Sequence, residues 1–143
     1  MTVARILDEK GRDVFTTQPH RPLREVIELL AEKGVGAVVV SDASLRVLGI
    51  VSERDVVRVL AKHGAAALDD PVSRYMTPKV ITATRDDTID HVRQTMTAGR
   101  FRHVPIVDAG RLIGIVSIGD VVKRQVNALD SERQALREYI ATA

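Results

Sequence analysis

Two aspartates each stand three residues after a serine, directly behind a short apolar run. Ser52 and Asp55 follow Val47-Leu48-Gly49-Ile50-Val51, and Ser117 and Asp120 follow Leu112-Ile113-Gly114-Ile115-Val116. An apolar, β-branched run that ends in serine and continues with a carboxylate at the third position marks a strand giving way to a helix. A helix start presents unpaired amides and positive partial charge. A carboxylate held there can accept hydrogen bonds from two vicinal hydroxyls while the amides hold polar edges, and a ribose fits that description. The same spacing is also a capping box, in which serine and acid satisfy the first turn and bind nothing else. The two roles are compatible, and stability does not require the same cap twice.

The duplication extends beyond these pairs. Gly49 to Val57 and Gly114 to Val122 differ only at Glu53/Ile118 and Arg54/Gly119. Upstream, Val14-Phe15-Thr16 answers Val80-Ile81-Thr82, and Ala37-Val38-Val39-Val40-Ser41-Asp42 answers His103-Val104-Pro105-Ile106-Val107-Asp108 at the same offset. One residue is then lost between Asp108 and Gly114, as befits a hairpin turn. Leu23, Val26, Ile27, Leu29 and Leu30 form one helical stripe between Pro22 and Gly34. Each copy therefore reads strand, helix, strand, strand, helix, an α/β (α+β) unit too small to bury much core alone, so two copies are expected to pack sheet to sheet. The chain divides into a first repeat with its N-terminal segment (1–63), a linker with a short helix (64–79), a second repeat (80–126) and a C-terminal helical extension (127–143). Along that extension Val122, Val126, Leu129, Leu136 and Ile140 trace an apolar stripe among charged residues, which suggests a partner.

The 143 residues are 45% apolar and contain no cysteine, which removes disulfides, thiolate metal sites and cysteine nucleophiles. No apolar run approaches a membrane span, and acidic Asp8 and Glu9 stand where a signal peptide needs its apolar region, so a cytoplasmic, non-membrane protein is expected. The 21 basic and 19 acidic residues nearly cancel, and 3% aromatics offer little for base stacking, so nucleic acid is not the expected partner. No phosphate-cradling Gly-x-x-x-x-Gly-Lys loop or base-activated nucleophile is present. His20, His63, His91 and His103 share no metal-ligand spacing. A nucleotide-hydrolysing enzyme and a nucleic-acid binder remain the rival readings to a non-enzymatic binding module.

The doubled motif, the hairpins before it and the segment Arg102-His103-Val104-Pro105-Ile106-Val107-Asp108 together resemble the cystathionine-β-synthase (CBS) domain pair, or Bateman module, over about residues 10–126. Ser52-Glu53-Arg54-Asp55, the segment from Pro71 to Thr77 and Gly99-Arg100-Phe101-Arg102-His103 are especially similar to stand-alone bacterial CBS-pair proteins. The resemblance implies a regulatory, signal-transducing sensor. Its adenosyl ligand, AMP, ATP, NAD or S-adenosylmethionine, would lie in clefts between the repeats, and a homodimer would act on a protein target not named by the sequence. It implies that Asp55 and Asp120 hold ribose hydroxyls, with Ser52 and Ser117 beside them. Lys10, Gly11 and Val14 would line the Asp120 cleft, and Met76, Thr77 and Val80 the Asp55 cleft. Arg100, Arg102 and His103 place three potential cations before the second repeat's hairpin, where the first repeat has Gly34, Gly36 and Ala37. The Asp120 cleft is therefore expected to prefer a phosphorylated adenosine, leaving the Asp55 cleft to draw charge from Arg54 or Arg58.

Overall fold

Alternating apolar and β-branched runs and amphipathic helical stripes give two similar units in a computed structural model that describes every residue except Arg12 and Ala143, which lie within the expected 1–63 and 127–143 segments. The elements run α1 (Val3–Lys10), β1 (Thr16–Thr17), α2 (Leu23–Lys33), β2 (Ala37–Ser41), β3 (Val47–Ser52) and α3 (Glu53–His63). Two 3-10 turns (Gly64–Asp69 and Val72–Arg74) follow, then α4 (Ile89–Gly99), β4 (His103–Asp108), β5 (Arg111–Ser117) and α5 (Ile118–Thr142). Strand β2 pairs parallel with β1 and antiparallel with β3; β4 and β5 form the second hairpin, and a lone parallel bridge from Ala83 to Ile106 stands where β1 does in the first copy. The residue missing from the second copy lies in its turn, as expected. Ala109 and Gly110 both have positive φ there and form a two-residue connection, whereas the first copy uses a longer turn in which Asp42 Oδ1 accepts from the amides of Ser44 and Arg46.

Strand β2 is buried along its whole length. Val38 and Val40 face the first core, and the alternate residues Ala37, Val39 and Ser41 point to the other side of the sheet, so something must cover that side too. The second hairpin does so: His103 meets Gly36 at one end, and the Leu112 amide donates to the Leu45 carbonyl at the other. Buried Pro105 lies between these contacts.

The cores do not follow chain order. The N-terminal segment, grouped by sequence with the first repeat, puts Val3, Ile6 and Leu7 of α1 into the second core, against Val92, Met96, Ile106 and Val116. In exchange the linker residues Ala67 and Val72 complete the first core, with Leu23, Val26 and Val51. Matching backbone bonds clamp both exchanges, Val3 N–H to the Asp87 carbonyl and Val72 N–H to the Arg21 carbonyl. The physical reason is size. A hairpin and two helices leave one sheet edge open, and the preceding segment of the other repeat closes it.

The 25-residue α5 leaves this body after its first two turns, anchored by Arg124 to Glu9 at 2.5 Å. Among the described residues no helix, α5 included, is long and apolar enough to cross a membrane.

Candidate functional site

Both serine-aspartate pairs form capping boxes. The Ser52 amide donates to Asp55 Oδ2 at 2.8 Å and the Asp55 amide donates to Ser52 Oγ at 3.3 Å; the Ser117 and Asp120 distances are 2.9 and 3.2 Å. Each cap uses one carboxylate oxygen, Oδ2, so the capping role leaves Oδ1 available at both helix starts. The capping and ligand readings thus coexist in one side chain.

The motif glycines determine what reaches these helix starts. A Cβ on Gly49 would collide with the Met76 side chain, and one on Gly114 would lie 2.8 Å from Leu7 Cδ2. Only glycine lets the exchanged segments pass so close over the hairpins. Met76 therefore packs over Gly49 against the first core and does not line the cleft, contrary to expectation. The residues after it do. Thr77 exchanges backbone hydrogen bonds with Ile50 and leads Lys79, Val80 and Ile81 past the start of α3.

A cleft of about 510 Å³ results, within the range of small-molecule sites. The start of α3 (Ser52 to Asp55, with Arg58) forms one wall, Thr77 to Ile81 another, and Gly99 to His103 a third. Ile50, Val80, Ile81 and Phe101 give it an apolar side. Arg54, Arg58, Lys79, Arg100 and Arg102 give it five cations, none of them ion-paired among the described residues.

The expected assignment of the arginines to Asp120 is thereby overturned. Arg100 and Arg102 line the cleft of Asp55. The Arg102 carbonyl accepts from the Ile118 amide at the start of α5, and the same residue lines the Asp55 cleft, so it stands between the two helix starts. Arg100 ends α4 with φ +57, in the left-handed region that the first copy fills with Gly34. A non-glycine residue there costs about 1 kcal/mol, a strain of the kind found at functional positions.

The Asp120 site is engaged from within. Lys10 Nζ donates to Asp120 Oδ2 at 2.7 Å and to the Ile115 carbonyl at 2.9 Å. Burial alone would raise the Asp120 pKa, but the Lys10 ammonium and the Ser117 amide and hydroxyl outweigh it and hold the carboxyl below its ordinary value. Gly11 and the half-buried Val14 follow on the same segment. His103 sits between the two sites with its ring against Gly36, within electrostatic reach of Glu53 on one side and Lys10 and Asp120 on the other. Burial pushes its imidazole below the ordinary histidine value, so at neutral pH it is not the third cation that the sequence suggested.

Sequence reasoning missed Lys79, Ile81, Phe101 and Gly36. Lys79 and Phe101 were within reach, since each lies between two residues already singled out. Gly36 carried no signal beyond its glycine.

A family model described as the CBS domain matches residues 5–62 and again residues 72–127. The chain belongs to the CBS domain family. The CBS-domain protein ATU1752 from Agrobacterium tumefaciens is similar at 48% identity and TM-score 0.83, covering 87% of this chain and 99% of its own. The CBS domain pair of protein MJ0100, solved with 5′-methylthioadenosine and S-adenosyl-L-methionine, is 25% identical with TM-score 0.80, over 90% and 98% of the two chains. CBS domain protein PAE2072 from Pyrobaculum aerophilum, solved with AMP, is 28% identical with TM-score 0.76, over 84% and 89%. Curated relatives at 35% and 42% identity are longer, and the alignments span 66% and 41% of their lengths.

Proposed function

We propose that this CBS pair is a regulatory sensor, not an enzyme, and that it binds a phosphorylated adenosine in the Asp55 cleft. One observation carries the reading: five cations, without an ion-pair partner among the described residues, and a capping carboxylate with a spare oxygen converge on a single cleft with an apolar side. Asp55 Oδ1 would accept from the ribose hydroxyls, Ile50, Val80 and Ile81 would flank the base, and Arg100, Arg102 and Lys79 would pair with phosphate. The AMP complex of PAE2072 supports a phosphorylated ligand, and the MJ0100 complex supports the adenosyl class. A site whose walls come from both repeats can favour one relative pose over another, as a sensor requires.

At the second site, the Lys10 ammonium already pairs with Asp120 through Oδ2, so a ligand reaching Oδ1 there meets a carboxylate whose charge is largely neutralised. Calorimetry with AMP should therefore show Asp55→Ala abolishing the tighter binding while Asp120→Ala leaves it within a few-fold. The reverse order, or 5′-methylthioadenosine binding more tightly than AMP, would refute the assignment. Steady conversion of AMP, ATP or NAD that is lost in Asp55→Ala would make the protein an enzyme.

A further inference from the structure

Helix α5 continues well past the folded body, and its residues from 127 onward are almost all exposed. Val122, Val126, Leu129, Leu136 and Ile140 are between 48% and 66% exposed, a row that a lone helix would not keep in water. With Arg133 included, the row runs at alternating steps of four and three, the 3.5-residue period of a coiled-coil seam. A shallow groove lined by Val126, Leu129, Asp130, Glu132, Arg133 and Leu136 runs along it.

We infer that this seam is covered by α5 of a second copy of the chain, lying parallel and in register. The flanking charges select that occupant and orientation. Glu132 and Arg137 lie on opposite sides of the seam, and neither is ion-paired within the chain among the described residues. In a parallel pair, Glu132 of each copy faces Arg137 of the other, giving two symmetric ion pairs, and Arg133 reaches Glu132 of the second copy. An antiparallel pair matched along the whole row instead opposes Glu132 to Glu132 and Asp130 to Asp130. Arg133 in the seam weakens the pair and fixes its register, as polar seam residues do. The row covers fewer than three heptads, too short to pair stably as a free peptide, so the rooting of α5 through Arg124 and Glu9 is part of the design. None of this depends on the ligand.

The test uses the full chain in analytical ultracentrifugation. Leu129→Glu with Leu136→Glu changes only exposed residues, which circular dichroism can confirm, and should raise the dimer dissociation constant by about a hundredfold or more. Glu132→Arg alone and Arg137→Glu alone should each weaken the homodimer several-fold. Mixing those two variants should give a heterodimer restored to about wild-type affinity, since both of its flanking pairs are then of opposite charge. The chain has no cysteine, so Leu136→Cys provides an orientation test: a parallel pair oxidises to a covalent dimer, and an antiparallel one does not. A monomeric wild-type chain at 100 μM (about the upper end of ordinary assay concentrations), a dimer unmoved by the tail variants, or a Leu136→Cys dimer that fails to cross-link on oxidation would each overturn the inference.

Discussion

Replacing Arg102 by alanine removes a guanidinium from the Asp55 cleft and leaves the fold intact, because the carbonyl that accepts from Ile118 stays in place. The side chain is exposed and has no carboxylate partner among the described residues, so its removal orphans nothing in the free protein. Its value appears only when an anion arrives. A charge-assisted hydrogen bond contributes about 1.5–3 kcal/mol when well shielded; solvent exposure here argues for the lower end, about 1.5–2 kcal/mol, or roughly tenfold to thirtyfold in affinity. Calorimetry with AMP and with adenosine separates this contact from other effects: AMP binding should weaken by that factor and adenosine binding should not change. Salt separates a direct bond from long-range attraction. At about 0.5 M salt the Debye length is only about 4–5 Å, so a through-space effect of Arg102 fades while a guanidinium–phosphate bond largely persists. Equal losses for AMP and adenosine, or no loss for AMP, would refute phosphate recognition by this residue.

Arg100→Gly should relieve the left-handed strain at the end of α4 and stabilise the protein by about 0.5–1 kcal/mol in a denaturant titration, while weakening AMP binding. Asp120 has a folded pKa below its unfolded value, so its contribution to stability is fully present above about pH 4 and is lost as pH falls through the folded pKa. Lys10→Met should raise that pKa in an NMR titration of the Asp120 carboxyl and make the acid limb of the stability curve shallower. His103 is also depressed but is a base: unfolding lets it take up a proton, so stability falls as pH drops below about 6.5, and His103→Gln should remove that slope. Gly114→Ala pushes a methyl to 2.8 Å from the buried Leu7 and should cost about 1–3 kcal/mol, read as a lower Tm, with Leu7→Val partly restoring it.

The fold was legible wherever the signal was local or periodic. The helix from Leu23 stops at Gly34, the hairpins turn at Asp42 and Asp108, and both capping boxes close as their spacing requires. The exchange of α1 and the linker was not legible as packing. Val3, Ile6 and Leu7 mark an apolar helix face, yet nothing in their types says which of two nearly identical cores receives it. That choice depends on which hairpin edge lies within reach, a long-range property of the assembled sheets.

The same long-range geometry reversed the reading of the clefts. Sequence position puts Arg100 and Arg102 shortly before β4, in the same repeat as Asp120, with no counterpart cations in the first copy. The pairing failed because the segment leading into the second hairpin lines the helix start of the other repeat. With that placement, the difference between the copies becomes a division of labour within one chain. The cations missing from the first copy's own sequence are supplied to Asp55 by the second copy, and Asp120 receives a lysine from α1 instead. Under the proposed function, an anion at Asp55 would touch α3, the linker and the segment before the second hairpin at once, whereas a ligand at Asp120 would meet a carboxylate already paired with α1, the helix against which α5 is rooted through Glu9 and Arg124.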